Sequence, residues 1–278
     1  MPSVPELPEV ETTVRGLRPV LEGRRIASVE ARRPDLRRAL PPDLRQRLTG
    51  ARVVGLRRRA KYGLVDTDRE DTLVFHLGMS GHWRIDPVEL GPHDHLLIET
   101  DADDPGGGRR VALNDARRFG SVDLARTEEV DALPGLAGLG PEPLSDEFTG
   151  GYLARKAEGR TASIKALLMD QRIVAGLGNI YVLEALHRAG IAPARRAGYI
   201  ARARLDRLAD EVKAVLEEGI ASGGATVRSF AAPDGSIGHF PQRVRVYGRE
   251  GEPCACGGTV KRRVEGGRSS FWCAACQR

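Results

Sequence analysis

The first half of the chain carries short β-like runs that are rich in apolar residues. Turn residues such as Gly, Pro and Asp separate these runs. A segment beginning near Pro8 precedes them, with Val10, Val14, Leu17 and Leu21 at the spacing of one helix face. We therefore predict a leading helix and a β-sandwich or barrel, with strands at Ile26–Ala31, Arg52–Leu56, Gly63–Thr67, Thr72–Leu77, His82–Ile85, His95–Glu99, Arg109–Leu113 and Ser121–Leu124.

The pattern changes after Leu124. The stretch Leu133–Pro143 is rich in Gly and Pro and is typical of a linker. Apolar residues then recur at helical spacing, and Gly223–Arg243 has turn residues with little periodicity, which predicts a long loop. The helical faces are Ile164, Leu167 and Leu168; Ile180, Leu183 and Leu186; and Leu205, Leu208, Val212, Val215 and Leu216. We predict a domain over 1–130, a linker over 131–145, a helical domain over 146–243 and a terminal module over 244–278.

The charge of the chain favours a polyanionic partner. Its 278 residues carry a formal net charge of +5, with paired or tripled arginines at several places, such as Arg57-Arg58-Arg59 and Arg117-Arg118. Arginine-rich surfaces are also common in proteins without such a partner. No single cluster therefore indicates a polyanionic partner, but all of them together favour one. No apolar run reaches the ~18 residues of a membrane span, and no signal peptide is evident. We expect a cytoplasmic protein with no membrane partner.

The four cysteines all lie in the last 25 residues, at Cys254, Cys256, Cys273 and Cys276. Disulfides of a small secreted protein would be spread along the chain, so this clustering favours a metal site. The first pair is separated by one residue and the second by two. A weakened metal affinity or a redox-labile thiol cluster are the alternatives.

The segment Pro5-Glu6-Leu7-Pro8-Glu9-Val10-Glu11 resembles the opening of the formamidopyrimidine-DNA glycosylases. In that family the proline is the first residue of the mature enzyme, and its secondary amine is the nucleophile. An α-amine has a pKa of about 7.7–8.0, against about 10.4 for lysine, so more of it is unprotonated at neutral pH. The resemblance implies that Pro5 attacks the sugar C1′ and that Glu6 acts as general acid and base.

Two further motifs carry the resemblance. His76-Leu77-Gly78-Met79-Ser80-Gly81 and Asp115-Ala116-Arg117-Arg118-Phe119-Gly120 match segments that fill the space left by an extruded nucleotide. Flipping a base costs a few kcal/mol of unstacking, which apolar or cationic wedges partly recover. The resemblance implies this wedge role for Met79, Arg117 and Phe119. Ala116 stands where the family usually has proline.

The remaining matches are to residues that contact DNA, mainly its phosphates, in this family. Lys61, within Arg59-Ala60-Lys61-Tyr62, resembles a lysine that contacts phosphate and assists elimination, and His93 resembles a DNA contact. Residues 161–179 resemble a helix–two-turn–helix element, in which Asn179 and Lys165 would approach the phosphates of the lesion. Arg268, between the cysteine pairs, resembles an arginine at a hairpin tip that reaches phosphate and is implicated in the second elimination.

Taken as a member of this family, the chain has an α+β multidomain fold: an N-terminal β-sandwich with a leading helix, then a helix–two-turn–helix domain with a C-terminal zinc-finger β-hairpin. The four cysteines would hold one structural zinc ion. The partner would be damaged double-stranded DNA, from which oxidised purines are removed before β,δ-elimination at the abasic site. The loop from Gly223, which would cover the flipped base, favours this branch over the endonuclease VIII branch. We expect a monomer in the bacterial cytoplasm.

Two other functions stay open at this point: a lesion-binding protein without catalysis, and a pyrimidine-preferring glycosylase of the sister branch. The first arises because Pro5 lies inside the chain, where it has no free amine. If only Met1 were removed, the free amine would lie on Pro2, three residues before Pro5. Those three residues could displace the amine by up to roughly 10 Å from its position in the family. We expect instead that Val4 marks the initiator position, so that its removal leaves Pro5 as the terminus.

Overall fold

The computed structural model describes residues 4–225 and 240–278. These residues form two compact units, which divide the chain between Ala137 and Gly138 and again between Ala221 and Ser222. The first division falls inside the segment 131–145 that we predict as a linker. Most of the predicted loop Gly223–Arg243 lies outside the described residues, and its last part, Phe240–Arg243, is a short 3-10 helix.

The first unit is built on two antiparallel sheets of four strands each. The first has the order β1-β6-β7-β5 and the second the order β2-β3-β4-β8. Apolar residues of both sheets share one core, which includes Phe75, Trp83 and Ile98. The strands are β1 (Ile26–Ala31), β2 (Val53–Arg59), β3 (Tyr62–Thr67), β4 (Asp71–His76), β5 (His82–Ile85), β6 (Asp94–Thr100), β7 (Arg110–Asn114) and β8 (Ser121–Arg126).

Helix α1 (Leu7–Leu21) closes this core from one side. Its predicted apolar face is fully buried, and the helix packs against β2, β3 and β5. Pro8 stands in its first turn, where a missing N–H costs no hydrogen bond. The predicted sandwich with a leading helix is therefore confirmed. Every predicted strand is present: Ile26–Ala31 and His82–Ile85 have the predicted ends, and the other strands differ by one to three residues at an end.

The second unit is helical and carries a terminal hairpin. Helices α3 (Gly150–Ala157), α4 (Ile164–Met169), α5 (Asn179–Arg188) and α6 (Arg202–Ala221) pack together, with α6 against both α3 and α5. The strands β9 (Val260–Glu265) and β10 (Arg268–Cys273) pair antiparallel. Gly266 and Gly267 join them with φ of +55° and +73°, as the tightest hairpin turn requires. Arg268 therefore stands at the hairpin tip.

Two short helices could not be predicted from the spacing of apolar residues. Helix α2 (Leu44–Leu48) has only five residues, which is too short to display a repeating face. Helix α3 opens with two glycines, which are poor helix formers, and it is started by the hydroxyl of Thr149, which accepts a hydrogen bond from Tyr152 N–H. Among the described helices, none combines the length and apolar character that crossing a bilayer demands.

A buried carboxylate anchors the chain that leads into the hairpin. Glu184 on α5 is fully buried, and its two oxygens accept the backbone N–H groups of Arg245, Val246 and Tyr247 at 2.8–3.0 Å. Three charge-assisted bonds satisfy a group whose burial alone would be costly. This carboxylate therefore fixes the end of α5 to residues 245–247.

We predict that Glu184→Gln lowers the free energy of unfolding by ~2 kcal/mol, because the amide nitrogen replaces one acceptor and faces a backbone N–H group. Urea unfolding of both proteins measures the loss. Glu217→Gln, at an exposed position of α6, is the matched control and should change stability by less than about 0.5 kcal/mol. Equal midpoints for Glu184→Gln and the wild type would contradict the anchoring role.

Candidate active site and metal centre

Pro5 and Glu6 lie at the start of α1 and both are buried. Glu6 has 3% of its surface exposed, and its backbone N–H donates to Glu9 Oε2 at 2.8 Å. This is one half of a capping box, which fixes the backbone direction at the helix entrance. The two residues predicted to carry the chemistry are thus held by the fold.

Glu9 also binds a distant part of the chain. Its Oε1 accepts the backbone N–H of Ala225 at 2.6 Å, and Glu9 itself is buried. This bond attaches Ala225 to α1, and Ser222–Ala225 belong to the first unit, although we assigned them by sequence to the helical domain 146–243. A tertiary bond of this kind leaves no local signal in the sequence.

Lys61 lies in the turn between β2 and β3, next to Ala60, which has a φ of +52°. Its charge acts on His76, at the end of the neighbouring strand β4. Burial, followed by the charges of Lys61, Arg37 and Arg38, lowers the pKa of His76 to about 4. His76 is neutral at pH 7, and its Nδ1 accepts Gly78 N–H at 3.0 Å.

His76 was not among the predicted site residues. It belongs to the quoted motif, but nothing local indicates that it sits among three cations. A neutral imidazole with Nδ1 accepting carries its proton on Nε2, which can donate. Together with the nearby cations, this arrangement suits the oxygens of a phosphate.

The structure brings together the two loops that carry the predicted wedge residues. The loop carrying Met79 and the loop carrying Arg117 and Phe119 are joined through Ser80, which donates to Asp115 Oδ1 at 2.5 Å and accepts Arg117 N–H at 3.1 Å. The guanidinium of Arg117 stacks over the ring of Phe119 at 4.7 Å from its centroid. Arg117 and Phe119 are exposed.

Gly78 sets how closely these loops approach. A Cβ at this position would lie 2.3 Å from the carbonyl carbon of Phe119, and the φ of Gly78 is +65°. Both the space and the conformation exclude a side chain. The Asp115 carboxylate adds a bond from Gly120 N–H at 2.8 Å, so the two loops form one packed piece.

His93 is exposed just before β6. Its carbonyl oxygen accepts the N–H of Asp115 at 3.0 Å, which places it beside the wedge loops. His95, two residues on, is buried and bonded through Nε2 to the carbonyl oxygen of Asp115. Of the two histidines, His93 is therefore the one available to a partner.

In the second unit, three predicted residues meet at the hairpin. Asn179, the first residue of α5, donates from Nδ2 to the carbonyl oxygen of Ser269 at 2.9 Å. Lys165 Nζ donates to the same oxygen at 3.3 Å and to Ser270 Oγ at 2.9 Å. Ser269 follows Arg268, so Asn179 and Lys165 support the strand that carries the exposed arginine.

Lys165 differs from a surface cation. Only 5% of it is exposed, and burial lowers its pKa, with Arg268 adding to the shift and Glu265 opposing it. The sequence motif indicates which lysine belongs to the site, but it does not indicate that the ammonium group is enclosed by the hairpin.

The four cysteines form a compact cluster. All four Sγ atoms lie within 4.8 Å of one another, with Cys256 to Cys273 at 3.5 Å and Cys254 to Cys276 at 4.0 Å. Four thiolates bound at ~2.3 Å in a tetrahedron would be about 3.8 Å apart. The donor set therefore suits a structural metal ion.

The short spacing of the first pair is accommodated by glycine. A Cβ on Gly258 would lie 2.7 Å from Cys273 Sγ, so only glycine leaves room for the thiols. Gly258 N–H also bonds to Cys256, and this bond is the largest cause that lowers the pKa of Cys256 to about 7. This bond favours the thiolate form of Cys256, whereas burial raises the pKa of Cys254, the other member of the pair.

Comparison with known proteins agrees with this geometry. The model of the formamidopyrimidine-DNA glycosylase N-terminal domain matches residues 4–122, and that of the formamidopyrimidine-DNA glycosylase H2TH domain matches residues 139–231. The chain is 62% identical over 275 residues to a formamidopyrimidine-DNA glycosylase of Rhizorhabdus wittichii, covering 99% of this chain and 100% of the relative. A protein of the same name from Novosphingobium aromaticivorans is 60% identical with the same coverage.

Solved structures give the same result. The MutM (Fpg) protein of Thermus thermophilus matches with a TM-score of 0.85 and 38% identity, covering 98% of both chains. A complex of Lactococcus lactis Fpg with DNA containing an abasic site matches with a TM-score of 0.88 and 33% identity, covering 99% of this chain and 100% of that one. The predicted α+β fold is confirmed.

The depressed pKa of His76 predicts a pH-dependent stability. An unfolded chain protonates this imidazole below about pH 6.5, whereas the folded protein does so only near pH 4. The unfolded state therefore binds more protons in this window, and the free energy of unfolding falls as the pH drops through it. We expect His76→Gln to remove about 3 kcal/mol of this fall, since one pKa unit corresponds to about 1.4 kcal/mol. Urea unfolding across the window measures it. Parallel profiles for the two proteins would contradict the shift.

Proposed function

Because the chain belongs to the formamidopyrimidine-DNA glycosylase family, we propose that it excises oxidised purines, 8-oxoguanine and formamidopyrimidines, from duplex DNA in base-excision repair. We propose further that it cleaves the strand at the resulting abasic site by β- and then δ-elimination. The net charge of +5 and the solved complexes of a relative with damaged DNA support DNA as the partner.

One observation carries the proposal above others: the two loops with Met79, Arg117 and Phe119 are bonded to each other and present an apolar and cationic surface. An enzyme that acts on a base must take it out of the stack. A wedge already assembled on the protein fills the vacated space without ordering side chains at that moment. This arrangement favours base excision over simple phosphate binding.

The chemistry begins with the secondary amine of Pro5. Its nitrogen lone pair forms a bond to C1′ as the glycosidic bond breaks, and the base leaves with a proton. The sugar ring opens to an iminium ion, which acts as an electron sink. Loss of a C2′ proton then expels the 3′ phosphate, and a second elimination expels the 5′ phosphate.

In this proposal Glu6 moves the protons of the first step, and its burial next to Pro5 in the chain and its backbone bond to Glu9 support that role. It protonates the ring oxygen as the sugar opens. Lys61 supports the β-elimination, and its position near neutral His76 adds a donor for phosphate. Each of these roles uses a residue of the first unit.

The second unit supplies phosphate contacts. Arg268 reaches out from the hairpin tip, Asn179 approaches with its side-chain amide, and Lys165 adds charge beneath Ser269. The four cysteine thiolates would hold one zinc ion, which supplies a structural crosslink and no step of the reaction. A monomeric state and a cytoplasmic location stay predictions.

The deciding experiment compares a chain that begins at Pro5 with one that retains Met1–Val4, each incubated with 8-oxoguanine duplex and sodium borohydride. Reduction of the iminium ion would leave a covalent protein–DNA adduct. We expect an adduct with the first chain and at least a ~100-fold lower yield with the second, because the amide nitrogen of an internal proline is not nucleophilic. Denaturing gel electrophoresis measures the yield.

Two further measurements separate the alternatives. Salt-dependent binding to abasic DNA without any adduct from either chain would indicate a lesion-binding protein instead. Faster excision of thymine glycol than of 8-oxoguanine would indicate the pyrimidine-preferring branch. Glu6→Gln in the chain that begins at Pro5 is the matched control, and it should retain binding and lose excision.

A further inference from the structure

A histidine of helix α5 touches the cysteine cluster from outside. His187 Nε2 lies 3.3 Å from Cys254 Sγ and 3.8 Å from Cys276 Sγ. His187 is 67 residues from Cys254 along the chain. The contact therefore depends on the packing of α5 against the hairpin module and not on the spacing of the cysteines.

The geometry distinguishes a hydrogen-bond donor from a metal ligand. The group whose ligand atoms all lie within 4.8 Å of one another contains the four cysteines and excludes His187. The imidazole thus lies beside one edge of the sulfur cluster. Since a metal-bound thiolate accepts hydrogen bonds and cannot donate them, Nε2 must carry the proton in this contact.

The other ring nitrogen supports this assignment. Within the described residues, His187 Nδ1 is buried and has no hydrogen-bond partner. A proton on Nδ1 would leave a buried N–H without an acceptor, whereas a proton on Nε2 meets two sulfur atoms. The packing therefore selects the tautomer that donates to Cys254.

Cys254 is the thiol for which such support matters most. It belongs to the shortened pair, whose loop is closed by bonds from Cys254 N–H to Gly258 O at 2.8 Å and from Gly257 N–H to Cys254 O at 2.9 Å. One residue between the two cysteines leaves less freedom to aim both sulfurs at one ion. A donor outside the loop can hold Cys254 Sγ in place.

Helix α5 consequently binds the hairpin at both ends. Asn179, at its first residue, bonds to Ser269 on β10, and His187, near its last, bonds to Cys254. Between them Leu183 joins the apolar cluster with Val260 and Phe271. The cysteine cluster and the residues predicted to contact phosphate are thus attached to one helix.

We propose that His187 is a positioning residue of the metal centre: its Nε2–H bonds to the Cys254 thiolate, slows release of the metal and holds the hairpin on α5. Loss of this bond would free Cys254 within its short loop and loosen β10 beside Asn179. This inference rests on the metal site of the proposed function and adds a residue to its support.

The test uses the full chain as wild type, His187→Phe and His187→Gln, with Ala185→Gly as the control. Phenylalanine keeps a ring and removes the donor, while glutamine keeps an N–H at similar reach. Ala185→Gly weakens the same helix without touching a thiol. Zinc content is measured first, followed by the rate of zinc transfer to a chromophoric chelator and by circular dichroism for folding.

We expect one zinc ion per wild-type chain. His187→Phe should release zinc at least ~10-fold faster, because removing a hydrogen-bond partner of a metal ligand commonly weakens metal binding by that much. His187→Gln should restore most of the retention, and Ala185→Gly should release zinc at the wild-type rate. With cobalt in place of zinc, the thiolate-to-metal absorption of His187→Phe should move to longer wavelength, because the thiolate has lost a donor. The absorption reports the bond itself even if His187→Phe is less stable.

Three results would overturn the inference, and each has a different meaning. A wild-type chain that retains no zinc would remove both the proposed metal site and the role of His187. Full zinc in the wild type, with unchanged release and unchanged cobalt absorption in His187→Phe, would remove the role of His187 alone. Equal release from His187→Phe and Ala185→Gly above the wild-type rate would show helix weakening and would also overturn it.

Discussion

Buried carboxylates that accept backbone N–H groups hold the irregular segments on which the candidate site depends. Glu9 accepts from Glu6 and Ala225, Asp115 accepts from Gly120, and Glu184 accepts from residues 245–247. A carboxylate without partners would be expensive to bury, but several N–H donors satisfy it and fix the backbone at the same time. Sheets and helices supply the framework, and these three side chains attach the functional segments to it.

The strands of the first unit were predictable because turn residues bound short apolar runs, and the leading helix because its apolar residues repeat at one face. Two motifs predict the residues that we propose as a wedge, and that role stays a prediction. The arrangement of their loops could not be predicted, because it depends on the bond between Ser80 and Asp115, 35 residues apart. Sequence motifs identify which residues take part, whereas packing decides which atoms meet.

The same distinction applies to charge and to burial. Lys165 and His76 look like ordinary polar residues in the sequence, yet the fold encloses one beneath the hairpin and surrounds the other with cations. Helices α2 and α3 were missed for another reason, since one is too short and the other opens on two glycines. Tertiary contacts stabilise both where local propensity does not.

The close approach at Gly78 has a consequence for which residues this position can accept. Because a Cβ at Gly78 would overlap the backbone at Phe119, any other residue would push the loop of Met79 away from that of Phe119. The bond from Ser80 to Asp115 joins the same two loops, so the same change would strain it. One missing methyl group therefore sets the spacing of two loops that are distant in the sequence.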